Sequence, residues 1–330
     1  MTTITNTHLT TPNIGLFEIP RRVSRPAEQF EAQLKNAQLA EDLGMHSYWA
    51  AQAHFSAIGL PSSLSVLSAV SQRTQHIRLG TAVITLAFEN PIRLAETASV
   101  VNTLAHNRLE LGVGKGNPRG RASAAYRAFG ASEAQRGTLF EQQLQSLRQA
   151  FNHVEKDTDG DEWKLYPEPN GLDRRIWQAT SSVSTAVAAG RAGDGLQLHS
   201  VGPEPLGEIQ LELVEAYREA LPEHISPRIA VARTVIPDVA TPEELAMHSL
   251  ANPKIDTHVI TGSAVNISKH LLADPTVQAS TDLLFRIPLG IETTTYREAL
   301  RVLALEVAPL LSEPSSPSNR AQQRLSRPLS

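Results

Sequence analysis

Between residues 14 and 311, short apolar runs alternate with longer stretches of helical period, and this alternation limits the fold more than any other feature. "IGLFEI" (14–19) has strand character. The segment after it, "RPAEQFEAQLKNAQLAEDLG", has helical period, with Pro26 near its start, Phe30, Leu34, Ala37 and Ala40 on one stripe, and Gly44 as its stop. The same order recurs in strand "HSYWAA", helix "SSLSVLSAVSQRT", strand "IRLGTAVITL", helix "NPIRLAETASVVNTLAHN" and strand "RLELGVGKG". It continues with a helix at 133–152, strand "RIWQAT", helix "STAVAAGRAG", strand "GLQLHS" and a helix at 204–220. Strands "RIAVARTVI" and "TDLLFRIPL" and a final helix "TYREALRVLALEVAPLL" complete it. Such alternation predicts an α/β fold with a parallel sheet covered by helices. A strand count near eight favours closure into a (β/α)8 TIM barrel, with an open doubly wound sheet as the other arrangement.

The 330 residues suit one such barrel with loop insertions. Hydrophobic residues make up 41% and aromatics only 5%, so the core is built from Ala, Leu and Val rather than rings. Residues 1–12 are Thr-rich and polar, and 313–330 combine Pro, Ser and Arg with few apolar residues. Both are expected to be tails, the second disordered, which leaves 13–312 as a single domain. A net charge of −4 without a long basic block argues against nucleic acid. The absence of cysteine removes disulfides, thiolate metal sites and cysteine nucleophiles. No apolar run approaches the roughly 18 residues that span a bilayer, and the start lacks a basic then apolar leader pattern. A cytoplasmic protein with no membrane partner is the expectation.

In a barrel, chemistry gathers where strands end and loops begin, at the C-terminal face. That rule singles out "AQAHF" (51–55), "TLAFENP" (85–91), "GVGKGNPRG" (112–120), "ATSSVS" (179–184) and "RIPLG" (286–290). In the third, Gly112, Gly114 and Gly116 sit with Lys115, Arg119 and Arg121, a mixture suited to an anion but also to a solvated surface loop. It is neither a Walker loop nor G-x-G-x-x-G, since position 117 is Asn. In the fourth, Thr180, Ser181, Ser182 and Ser184 lie between a strand and a helix, where hydroxyls and free N–H groups bind anions or simply cap the helix.

The eleven histidines show no H-E-x-x-H pair, so no metal site is expected. His54 is the one best placed for proton chemistry, though a lone histidine also serves as a packing residue. No G-x-S-x-G elbow is present.

Taken together, "LGTAVITLAFENPIRLAETASVVNTLAHNRLELGVGKG", "AEDLGMHSYWAAQAHFSAIGLPSS", "ATSSVSTAVAAGRAGDGLQL" and the closing "LLFRIPLG…YREALRVLALEVAPLL" resemble the bacterial luciferase-like flavin-dependent monooxygenases. The resemblance covers roughly residues 14–311. It implies a (β/α)8 barrel that binds reduced FMN, or in one branch a deazaflavin, at the C-terminal face. Thr81, Ala82 and Val83 would lie along the isoalloxazine, with a non-prolyl cis peptide between Ala82 and Val83. Lys115, Thr180, Ser181, Ser182 and Ser184 would hold the phosphate.

The resemblance further implies a two-component flavoprotein monooxygenase. FMNH2 would come from a separate NAD(P)H flavin reductase and, with O2, oxygenate a small organic substrate through a peroxyflavin, with His54 as a catalytic candidate and Arg119 or Arg121 gating the pocket. A homodimer is the expected assembly. Two departures stand out: the family's Glu-His-His-Phe reads Gln52-Ala53-His54-Phe55 here, and the luciferase Cys before the phosphate cation is Gly114. They leave two other readings open, a deazaflavin-dependent hydride-transfer oxidoreductase and a flavin-binding protein without turnover. An acidic residue within 51–55 would favour the former, and none is there.

Overall fold

The computed structural model describes residues 11–20, 25–56, 58–116, 122–152, 154–156, 158–199, 206–251 and 258–312. Eight parallel strands form its centre: β1 (Asn13–Glu18), β2 (Ser47–Ala50), β3 (Arg78–Thr81), β4 (Leu109–Gly114), β5 (Ile176–Ala179), β6 (Gly195–Leu198), β7 (Ile229–Pro237) and β8 (Asp282–Arg286). β1 pairs with β2 and β8, and β7 pairs with both β8 and β6, so the eight strands form an unbroken ring and the open doubly wound arrangement is excluded. Helices α1 (Pro26–Asp42), α2 (Ser63–Ser71), α3 (Pro91–Leu104), α4 (Arg136–Asn152), α5 (Val183–Ala192), α6 (Leu206–Ala220), α7 (Ala264–Ala273) and α8 (Thr293–Val302) cover it, the last continued by a π turn at Leu303–Val307. This is the expected (β/α)8 barrel.

The barrel interior is filled by Phe17, Trp49, Trp177, Ala230, Ala232 and Leu284. Trp49 and Trp177 meet edge to face at 5.3 Å. Their size explains two glycines: a Cβ on Gly80 would stand 2.1 Å from the Trp49 ring, and one on Gly195 would stand 2.3 Å from Trp177. Two indoles thus fill space that smaller residues on neighbouring strands leave open.

Three departures from the sequence pattern bear on the site. The stripe of α1 is buried as expected at Ala37 and Ala40, but Phe30 is 38% exposed and the polar Gln33 and Asn36 are buried as well. The reason is polar. Asn36 Nδ2 donates to Glu18 Oε1 at 2.9 Å and Tyr48 to Glu18 Oε2 at 2.7 Å, so the face under α1 is a buried polar cluster around the one carboxyl of Glu18. Second, the run "IRLGTAVITL" is broken. Gly80 pairs with Glu110, but the next pairing is Ile84 with Val113, four residues on one strand against three on the other. β3 therefore carries a bulge at Thr81–Val83, resumes at Ile84–Thr85, and turns into a 3-10 segment at Leu86–Phe88.

Third, several elements had no sequence signal. A helix at Ala122–Ala128 precedes α4, and a hairpin of Val154–Lys156 with Glu162–Lys164 precedes β5. Between β7 and β8 lie a helix at Pro242–Ala251, a strand at Val259–Gly262 paired with the end of β7, α7, and a short helix at Pro275–Gln278. Residues 1–10 and 313–330, for which tails are expected, and Arg119 and Arg121 lie outside the described residues. Among the described residues no helix is long and apolar enough to cross a membrane.

Candidate active site

The β3 bulge opens at the C-terminal face. The peptide bond between Ala82 and Val83 is cis, as the family resemblance implies. Thr81 is fully buried and its Oγ1 donates to the Gly112 carbonyl at 2.8 Å, replacing the ladder bond that the bulge removes between β3 and β4. A hydroxyl in this otherwise apolar strand is therefore needed to satisfy the backbone. Ala82 and Val83 form the apolar shelf above it. Gln197 on β6 places its carboxamide close by: a Cβ on Gly112 would lie 3.2 Å from Gln197 Oε1. That oxygen is buried and has no hydrogen-bond partner among the described residues.

Beside the shelf, Lys115 leaves the end of β4. Its Nζ donates to Thr185 Oγ1 at 2.7 Å and lies over the Phe140 ring at 5.8 Å. Thr185 Oγ1 is 3.0 Å from Ser182 Oγ, and Thr180 Oγ1 accepts from the Ser182 backbone N–H at 2.9 Å. Lys115, Thr180, Ser182 and Thr185 thus converge at the N-terminus of α5, with Ser181 and Ser184 exposed alongside. Ser182 is the residue before the helix, yet its side chain makes no capping bond, so first-turn N–H groups remain for an anion. A cleft of about 250 Å³ runs from this point between α4 and α5, past Phe140, Glu141, Leu144, Arg148 and Ala188. The structure brings the two predicted anion loops together; Thr185 is the member that the sequence reading missed.

The third part is the mouth at the end of β2. His54 meets Phe88 edge to face at 5.5 Å and Phe129 at 4.8 Å; Phe88 stacks on Phe129 at 4.9 Å and meets Tyr126 at 4.8 Å. Tyr126 in turn donates to the Lys115 carbonyl, tying this wall to the Lys115 loop. Phe55 and Phe129 remain 56% and 44% exposed, so the rings form an apolar rim open to a ligand. Gln52 Nε2 lies 3.3 Å from His54 Nε2, and Gln52 and Glu89 line one cleft. Burial pushes the Glu89 carboxyl up, opposed by the Gln52 amide, and burial lowers the His54 imidazole.

Deeper at the same end lie Phe17, His199, Thr234 and Arg286. Arg286 is fully buried, directs Nε and Nη2 to Thr234 Oγ1 at 2.9 and 2.7 Å, and burial pushes its guanidinium down to about 10. It is still a cation at neutral pH. Burial, with the Arg286 charge beside it, lowers the His199 imidazole. Among the described residues no three His, Asp or Glu side chains gather as a metal site requires. Glu89, His199 and Arg286 carry no local motif; only their positions at strand ends could have flagged them.

Comparison with known proteins accords with this arrangement. The chain is 33% identical over 141 residues to the F420-dependent glucose-6-phosphate dehydrogenase of Mycobacterium tuberculosis (strain ATCC 25618 / H37Rv). The match takes in 41% of the chain and spans 42% of that relative's length. With the enzyme of the same name from Mycolicibacterium fortuitum it is 31% identical over 206 residues, 58% of the chain and 60% of the relative.

In fold it superposes on the monooxygenase RslO1 from Streptomyces bottropensis with a TM-score of 0.77 at 19% identity, covering 90% of this chain and 99% of that one. The FMN complex of the oxygenating constituent of 3,6-diketocamphane monooxygenase from Pseudomonas putida gives 0.70 at 14%, covering 92% and 100%. The model of the family described as "Luciferase-like monooxygenase" matches residues 14–270, and the chain belongs to that family of oxidoreductases.

Proposed function

We propose that the chain is a flavin-dependent monooxygenase that takes reduced FMN from a separate NAD(P)H flavin reductase and uses O2 to oxygenate a small apolar organic substrate. The residues fit the cofactor in two respects. An unpartnered buried acceptor, Gln197 Oε1, lies by the Ala82–Val83 shelf, where an isoalloxazine N–H is the complementary donor. The α5 N-terminus, Lys115 and the hydroxyls of Thr180, Ser182 and Thr185 suit a phosphate dianion.

The observation that favours FMN over the deazaflavin F420 is the wall beyond that cradle. FMN ends in a phosphate monoester, whereas F420 continues through its phosphate into an acidic glutamyl tail. The cleft past Lys115 is lined by Phe140, Leu144, Ala188 and Ala192 and carries Glu141, while its Arg148 is engaged by Asp194. Among the described lining residues no uncommitted cation awaits a second negative charge.

When bound, the reduced flavin would supply the electrons that activate O2. The chain's own residues would do the rest: Lys115 and α5 anchor one end, the shelf orients the ring, and Phe88, Phe129 and Tyr126 keep water from the reacting face. A homodimer belongs to this proposal as the assembly.

Two observations support the second reading, an F420-dependent hydride transferase. The curated relatives named above are F420-dependent dehydrogenases. In addition, a carboxyl group does reach the β2 end after all, supplied by Glu89 from the β3 loop.

The deciding experiment is rapid mixing of the protein with photoreduced FMN and oxygenated buffer, beside free FMNH2. A return of oxidised-flavin absorbance markedly slower than in free solution supports the oxygenase. Return at the free-flavin rate, together with reduction of added F420 by an alcohol or sugar phosphate, would overturn it in favour of the second reading.

A further inference from the structure

Gln52 is held in one orientation. Its Oε1 accepts from the Ser63 backbone N–H at 3.1 Å and from Ser63 Oγ at 2.8 Å, at the first turn of α2. A backbone N–H has no acceptor lone pair, so the amide oxygen must face Ser63, and the choice between O and N is fixed chemically. The NH2 group is left for the other side, where it finds His54 Nε2 at 3.3 Å. Ser62, which precedes α2, makes no side-chain cap, so Gln52 also does its work there.

A primary amide nitrogen only donates. Facing it, His54 Nε2 must be the bare, accepting nitrogen, and the ring proton of the neutral imidazole must sit on Nδ1. Protonation at Nε2 would set N–H against N–H. The Phe88 and Phe129 rings fix the plane of the imidazole and offer no acceptor that would compensate. The titratable groups around the unit are few: Glu89 behind Gln52, Tyr126 beyond Phe88, the exposed Arg127 on the neighbouring helix, and Arg93, which pairs with Glu96 at 2.8 Å across a cleft shared with Glu89.

We infer that Ser63 and Gln52 form a clamp that holds His54 as a neutral Nδ1–H donor, so that the aromatic mouth selects a flat, uncharged substrate carrying a hydrogen-bond acceptor such as a carbonyl oxygen. Gln52 is a positioning residue; His54 is the group that meets the ligand. On this geometry His54 donates a hydrogen bond and does not serve as a base through Nε2. Among the described residues nothing pairs with Nδ1, and the rings beside it supply the flat apolar surface such a ligand needs. The ligand half of the inference rests on reading this mouth as the substrate site; the clamp does not.

The test is long-range 1H–15N correlation spectroscopy of histidine-labelled protein without cofactor, His54 being assigned by its loss in His54→Asn. At neutral pH, a protonated Nδ1 with a bare Nε2 is expected. A proton on Nε2, or an imidazolium, would overturn the clamp. Gln52→Glu keeps an acceptor for Ser63 but replaces the donor facing His54 with a carboxylate, and should transfer the proton to Nε2 and raise the apparent pKa of that ring. An unchanged tautomer in this variant would equally overturn the assignment.

Acetophenone and ethylbenzene then probe the ligand class. Acetophenone should shift His54 Nδ1 and ethylbenzene should not; equal effects, or none, would overturn the selectivity. The tautomer is read without flavin, O2 or turnover, so failure of the monooxygenase reading leaves that result intact and distinguishable.

Discussion

The Thr81 hydroxyl and the Gly112 carbonyl, 2.8 Å apart, close the barrel wall where the bulge in β3 opens it. Removing the hydroxyl while keeping the shape leaves a buried carbonyl without a partner, which costs about 1–3 kcal/mol. Thr81→Val should therefore lower the melting temperature by several degrees, while Thr81→Ser should melt close to wild type. A valine variant as stable as wild type would show that another donor reaches Gly112.

The same close approach of strands makes Gly112 intolerant of any side chain. A Cβ there would stand 1.9 Å from the Thr81 carbonyl oxygen, a backbone atom of a residue paired with Ala50 of β2. Gly112→Ala should destabilise by at least the about 1–3 kcal/mol typical of an overpacked core, read as a lower midpoint of denaturant unfolding. Gly130→Ala makes a useful contrast. No atom would meet its Cβ, but its φ of +67° adds a modest penalty of its own, so the Gly112 variant should be the worse of the two.

Why these positions were only partly legible in the sequence follows from the physics of each. Strand and helix alternation depends on local period, so all eight barrel strands were readable, and closure followed from their number. The bulge at Thr81–Val83 is a register effect between two strands, and no local pattern in "IRLGTAVITL" announces it; the family resemblance implied only the cis peptide within it. Helix α1 was legible only in part, because its buried face serves Glu18 through Asn36 as well as the apolar core that Ala37 and Ala40 join. The segment between β7 and β8 lacks clean periodicity and was left unassigned. The convergence of Lys115 with the Ser/Thr loop was anticipated because residue types suited to an anion cluster in each of the two segments. Glu89 was not, since it reaches the β2 end from a different loop.

Acidification tests the two buried-side imidazoles. Burial holds both His54 and His199 below the ordinary 6.5, so the folded chain releases these protons at lower pH than the unfolded chain does. Their contribution to stability is complete above about pH 6.5 and is lost as pH falls through the lowered folded values. Other carboxylates titrate further down, and Glu18, Asp194 and Asp282, raised by burial, act in the opposite sense. The diagnostic is therefore a difference. Wild type should lose stability relative to His54→Gln/His199→Gln between pH 7 and 5, and parallel curves would contradict the assignment.

Lys115 connects the geometry to the cofactor. Its ammonium contacts Thr185 Oγ1 at 2.7 Å at the head of α5, and no carboxylate among the described residues bonds to it, so its removal should cost the fold little. A charge-assisted hydrogen bond to phosphate is worth about 1.5–3 kcal/mol, hence roughly a 10- to 150-fold weakening of FMN binding in Lys115→Ala. Riboflavin, which has no phosphate, should bind wild type and variant alike, and the FMN preference should shrink as salt is raised. If Lys115→Ala bound FMN as tightly as wild type does, the phosphate would have to lie elsewhere. If instead FMN and riboflavin weakened together, Lys115 would be shaping the shelf rather than holding the anion, and the cleft between α4 and α5 would lose its place as the boundary of the cofactor site.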